Sequence, residues 1–148
     1  MSTLDDTSTP DAKPRRGVVI VTCKDARIDP LALLGLELGD AHVIRNGGGI
    51  VTDDVLRSLA ISHHLLGTRE ARVVGHTACG MTTFTNEELR ARIGPAAASV
   101  DFLPFTDVDE RVRESVRAIG ESPLLPDSFA ASGFVYELET GRLRPVRP

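Results

Sequence analysis

Gly17-Val-Val-Ile-Val-Thr22 is a short, uninterrupted apolar run rich in β-branched residues, and Cys23 follows it directly. A run without a polar face predicts a strand covered on both sides, as in a parallel sheet. Ala41-His-Val-Ile-Arg45 and Ala71-Arg-Val-Val-Gly75 predict two more strands of the same kind. Between them, Val55, Leu59, Ser62 and Leu66 recur at helical spacing, Leu56 and Ile61 widen the apolar face, and Gly67 supplies a C-terminal stop. Strand, helix and strand in alternation predict an α/β fold with right-handed crossovers.

Further along, Thr85-Asn-Glu-Glu88 has the spacing of a capping box and predicts a helix to about Ile93. Asp107-Val-Asp-Glu110 offers a second cap, after which Val108, Val112, Val116 and Ile119 mark one face of a helix that covers the sheet. Gly133-Phe-Val-Tyr-Glu-Leu-Glu139, a Thr140-Gly141 turn and Arg142-Leu-Arg-Pro-Val146 predict a terminal strand that turns back on itself. Residues 1–16 are rich in Ser, Thr, Asp and Pro and show no apolar period, so a flexible arm is expected there, with a single domain over 17–148.

The 148 residues are 41% hydrophobic and 26% charged, which suits one ordinary core. No stretch approaches the roughly 20 apolar residues that cross a bilayer, and Met1-Ser-Thr-Leu-Asp-Asp lacks the order of a secretory signal, so a cytoplasmic protein is expected. A net charge of -4 without a basic stripe argues against nucleic acid or a membrane as partner. The two cysteines lie far apart in sequence, and a reducing cytosol disfavours a disulfide between them. A metal, a reactive thiol or plain burial remains.

Cys23 follows the first predicted strand and His76 the third, so both project from carboxyl ends, where ligands bind in open α/β sheets. If those strands are neighbours, the two side chains meet. Cys79 comes three residues after His76, a spacing that turns both toward one ion if a helix begins there. Two thiolates and an imidazole form a soft tetrahedral set with one vacancy, which favours zinc and a catalytic role. Two buried cysteines and an unrelated histidine are the plain alternative, and the placement of Cys23 at a matching strand end argues against it. His42, His63 and His64 have no such context and are read as structural or solvent-exposed.

Within Cys23-Lys-Asp25-Ala-Arg27, an extended turn sets Asp25 and Arg27 on the same side as the cysteine. A carboxylate held by arginine can accept a hydrogen bond from a zinc-bound hydroxide and aim its lone pair at an electrophile. Released from arginine, it can close the vacant metal position. Activity that falls at lower pH is therefore expected.

Cys-x-Asp-x-Arg followed about fifty residues later by His-x-x-Cys-Gly resembles the zinc-site signature of β-class carbonic anhydrases, present here as Cys23, Asp25, Arg27, His76, Cys79 and Gly80. The similarity extends through Val43-Ile-Arg-Asn-Gly47, Ser58-Leu-Ala-Ile61 and the Gly141-containing tail, and is strongest to the short bacterial branch. The resemblance implies a mostly parallel sheet in the order second, first, third, fourth, flanked by helices and closed by a C-terminal antiparallel strand or hairpin. It also implies Zn2+ on Cys23, His76 and Cys79, with Asp25 and Arg27 as the orienting dyad. The implied reaction is reversible hydration of carbon dioxide to bicarbonate and a proton, in a homodimer or homotetramer with clefts at the subunit interface. Gly47, Gly48 and Gly49 would line the substrate cleft, where a helix start offers N–H donors; a tight turn accounts for the same residues equally well.

Gly47 and Ala78 depart from the alanine and the polar residue often found at those places. With no Trp, the chain lacks the tryptophan-containing bicarbonate regulatory pocket of some relatives in that form. No proton-shuttle residue stands out. Two rival functions share the ligands: hydrolysis of carbon disulfide or carbonyl sulfide, and a non-catalytic role as a zinc-stabilised or thiol-sensing protein.

Overall fold

The computed structural model describes residues 11–148. Five strands form one sheet: β1 (Val18–Cys23), β2 (Ala41–Asn46), β3 (Glu70–His76), β4 (Ala130–Glu137) and β5 (Arg142–Val146). Their order is β2-β1-β3-β4-β5, parallel except where β5 runs back against β4. The expected order and the antiparallel closing strand are both present. The apolar run that predicted β1 is buried along its whole length, because β1 has a strand on either side and packed side chains above and below.

Side-chain alternation along β1 divides the core in two. Val19 and Val21 join Val73 and Val135 on the face covered by α2 (Asp53–Leu66) and α4 (Val108–Glu121). Val18 and Ile20 join Val74 and Leu36 on the other, near the single-turn α1 (Pro30–Leu33). Each fully buried valine or isoleucine stabilises the fold by about 1.5–3 kcal/mol relative to exposure.

On α2, Val55, Leu59 and Ser62 are buried as their spacing predicts, whereas Ile61 lies on the outer face with 41% of its surface exposed. A position two residues beyond Leu59 falls on the far side of a helix, so the wider apolar face does not hold there. The Thr85–Glu88 capping box is formed and opens α3 (Asn86–Ile93). On α4, Val112 and Ile119 are buried, with Val108 and Val116 packed beside them.

Of the expected N-terminal arm, residues 1–10 lie outside the described residues. The next six have neither helix nor strand, yet they are tied down. Arg15 and Arg16 donate backbone N–H groups to Gly39 and Asp40 at 2.8 and 3.0 Å, and the Arg15 side chain pairs with Asp40. Pairing across 25 residues leaves no local periodicity to read.

Candidate metal centre

The strand order sets the carboxyl ends of β1 and β3 side by side, with Cys23 and His76 as their last residues. After β3 the chain turns through Thr77 and Ala78, the latter with a φ of 52°, and reaches Cys79, which caps a 3-10 turn at Gly80–Thr82. The left-handed backbone at Ala78 reverses the chain within three residues. Cys79 thereby comes back to His76.

The donor atoms of Cys23, His76 and Cys79 lie within 4.8 Å of one another, and all three residues are buried. His76 Nε2 has no hydrogen-bond partner. Its other nitrogen, Nδ1, lies 2.7 Å from the Thr77 carbonyl, which can only accept. Nδ1 therefore carries the proton, and Nε2 presents a lone pair toward the two sulfurs. An orphaned buried nitrogen facing two thiols fits a soft divalent ion such as zinc, whose removal leaves that polar atom unsatisfied.

Electrostatics agree with this set of donors. The neighbouring Cys79 thiol pulls Cys23 well below the usual thiol range against the opposing effect of burial, and Cys23 in turn pushes Cys79 up, with burial raising it further. Gly48 N–H adds a 3.4 Å bond to the Cys23 sulfur. For His76, burial opposes protonation, and the combined pull of Cys23, the Thr77 carbonyl and Asp25 outweighs it, so its basicity rises.

Asp25 stands at the mouth of this cluster, with Oδ2 3.7 Å from His76 Nε2. Arg27 grips the carboxylate at both oxygens, Nε to Oδ1 at 3.0 Å and Nη2 to Oδ2 at 2.6 Å, while its backbone N–H also reaches Oδ1. The guanidinium holds Asp25 below the ordinary carboxylate range. Cys23, Asp25, Arg27 and Cys79, with Gly47 and Met81, line a cavity of about 530 Å³.

The three glycines divide in their placement. Gly47 lines the cavity, Gly48 supplies the N–H to Cys23, and Gly49, at φ 64°, presses against the backbone of Thr22 and Cys23. The following helix opens only at Thr52, whose side chain caps Val55 N–H, so α2 does not start directly after them. Gly48 and Gly49 thus pack against the sulfur and the backbone of Cys23.

Arg45, Asn46 and Thr77 have site roles that local pattern does not reveal. Arg45, at the end of β2, donates to the carbonyls of Cys23 at 3.0 Å and Asp25 at 2.7 Å. Asn46 binds both backbone groups of Ile50 and so closes the glycine loop. Their signal is topological: once β2 is known to flank β1, a polar pair at its carboxyl end must face the Cys23 loop. His42 hydrogen-bonds Ser62, His63 the Thr68 carbonyl and His64 the Leu124 carbonyl, all away from the metal donors.

A mostly parallel α/β sheet with a thiol and an imidazole at adjacent strand ends, and a second thiol returned to them by the next turn, defines an α/β protein with a cluster that could hold a metal ion. Residues 18–103 match the family model described as carbonic anhydrase. The chain is 44% identical over 138 residues to beta-carbonic anhydrase 1 of Mycobacterium tuberculosis, covering 91% of this chain and 85% of the relative. The crystal structure of carbonic anhydrase from Streptococcus mutans superposes with a TM-score of 0.87 at 47% identity, covering 98% of this chain and 92% of that one. Carbon disulfide hydrolase of an Acidianus species is 36% identical over 156 residues, covering 87% and 76%. The chain belongs to the β-class carbonic anhydrase family.

Proposed function

We propose that the protein catalyses the reversible, zinc-dependent hydration of carbon dioxide to bicarbonate and a proton, with Cys23, His76 and Cys79 holding the metal. The observation that carries this is the orphaned His76 Nε2 facing two thiols, beside a carboxylate fixed by Arg27. Zinc, when bound, supplies Lewis-acid activation of water. Asp25, ionised and gripped at both oxygens, accepts a hydrogen bond from the attacking water and directs the oxygen lone pair at the carbon. Gly47 leaves the approach open, and the cavity at the mouth adjoins a second, largely apolar one of about 580 Å³ lined by Ile44, Ile50, Phe84 and Phe102. Such a lining suits a small nonpolar substrate.

Assembly into a homodimer or larger oligomer is part of the proposal. The edge of β2 is unpaired by any described strand, and Ile61 and Leu65, one turn apart on α2, are 41% and 71% exposed. A cytoplasmic setting, which keeps both thiols reduced, completes it.

Hydrolysis of carbon disulfide is the second reading, favoured by the relative of that name at 36% identity, below the 44% of the carbonic anhydrase relative. Stopped-flow hydration of carbon dioxide, with metal analysis and with a chelator added, tests the proposal; competition between the two substrates ranks the readings. Zinc-loaded protein that hydrates carbon dioxide no faster than buffer refutes the first.

A further inference from the structure

The ladder between β3 and β4 is broken at the residue that follows His76. His76 is registered with Tyr136, which sets Thr77 opposite Glu137. In a parallel pair, Thr77 should donate its N–H to the Tyr136 carbonyl and receive Leu138 N–H on its own carbonyl. The first bond is present at 3.0 Å. The second is diverted: Leu138 N–H goes to the Thr77 hydroxyl at 3.0 Å, and the Thr77 carbonyl accepts His76 Nδ1 instead. The hydroxyl's own proton is shared between the two oxygens of Glu139, each 3.1 Å away on the β4–β5 turn.

We propose that Thr77 is a positioning residue for the metal ligand, its hydroxyl replacing its carbonyl in the sheet so that the carbonyl is free to lock the His76 ring. Glu139 fixes the hydroxyl rotor by taking its proton side, which turns a lone pair to Leu138 N–H. The carbonyl holds the proton on Nδ1 and sets the ring angle that aims Nε2 at Cys23 and Cys79. A valine has nearly the same shape and offers no acceptor. Leu138 N–H must then compete for the one carbonyl that His76 needs. Oriented partners of this kind tune metal affinity about 10–100-fold.

This inference rests on the assignment of His76 as a metal ligand. Its test is zinc affinity by competition with a chromophoric chelator, together with the 15N imidazole tautomer of His76 in metal-free protein. Thr77→Val should weaken zinc roughly 10–100-fold and lose the fixed Nδ1-protonated ring. Thr77→Ser should keep both. Equal zinc affinity and an unchanged tautomer in Thr77→Val, or a serine variant as weak as valine, overturn the proposal. If wild-type protein takes up no zinc, the ligand assignment fails, while the tautomer comparison still decides the role of Thr77. If Thr77→Val does not fold, an Nε2-protonated ring in the wild type overturns the proposal, and an Nδ1-protonated ring kept in Thr77→Ser supports it.

Discussion

Gly49→Ala should unseat the first metal ligand from a position that never touches the metal. A methyl group placed on Gly49 lies 2.8 Å from the Thr22 carbonyl carbon and 2.9 Å from the Cys23 nitrogen, both backbone atoms of β1. Neither atom can rotate away. The φ of 64° is left-handed, which costs an alanine about 1–2 kcal/mol, and forcing extra volume against packed backbone adds about 1–3 kcal/mol. The expected loss is about 2–5 kcal/mol, with zinc affinity reduced because Cys23 moves. Gly47→Ala is the internal control: its methyl meets Met81 Sδ at 3.6 Å and Lys24 Cε at 3.9 Å, ordinary contacts with the ends of flexible side chains. That change should stay within about 0.5 kcal/mol. Urea unfolding of both variants, with zinc content measured on the folded fraction, supplies the comparison. A cost below about 1 kcal/mol for Gly49→Ala, or equal costs for the two variants, refutes the steric argument.

Cys79→Ala should lose bound zinc and hydration rate together, by metal analysis and stopped flow; a variant that keeps full activity excludes Cys79 as a ligand. Asp25→Ala should retain zinc and lose roughly 100-fold or more in kcat/KM, since only the orientation of the attacking water is removed. Asp109 and Arg144 join α4 to β5 through two bonds of 2.7 and 2.9 Å, and Arg144 holds Asp109 below its ordinary range. A depressed folded-state value gives stability that is present above the unfolded carboxylate pKa and lost as pH falls through the folded one. Asp109→Asn should therefore cost about 1 kcal/mol at neutral pH, with denaturation curves of the two proteins converging below about pH 4.

β1 and β3 were legible because they are interior strands largely buried on both faces, a signature that β1 shows most fully, whereas β2 lies at the sheet edge with no fully buried residue and Val43 38% exposed, so the expectation of cover on both sides does not hold there. The capped helices were legible for a local reason too: Thr85 and Glu88 satisfy each other's backbone within four residues. Cys23 and His76 could be named because strand ends are where side chains leave the sheet, and Cys79 by its spacing from His76, while the adjacency of β1 and β3 came from the family resemblance. The short α1, a single turn capped by Asp29, offers too few residues for a period to develop. Arg45 and Thr77 lay beyond local pattern because their partners, the Cys23 carbonyl and Leu138 N–H, are 22 and 61 residues away. The clamp at Arg15 escaped for the same cause.

The two halves of the metal motif, far apart in sequence, are joined by one side chain. Arg27 Nη2 reaches the Ala78 carbonyl at 3.0 Å while also holding Asp25 Oδ2 at 2.6 Å. Ala78 is the left-handed residue that returns Cys79 to His76, so the guanidinium steadies the turn carrying two ligands and the carboxylate facing them at once. Arg45 grips the other end, holding the Cys23 and Asp25 carbonyls from β2. The loop between is thus fixed from both neighbouring strands, and the position of Asp25 relative to His76 follows from the sheet order. A lysine at position 27 could supply charge, but its single ammonium lacks the planar fork that spans two carboxylate oxygens and a carbonyl together. The need for arginine in Cys-x-Asp-x-Arg is therefore geometric as well as electrostatic.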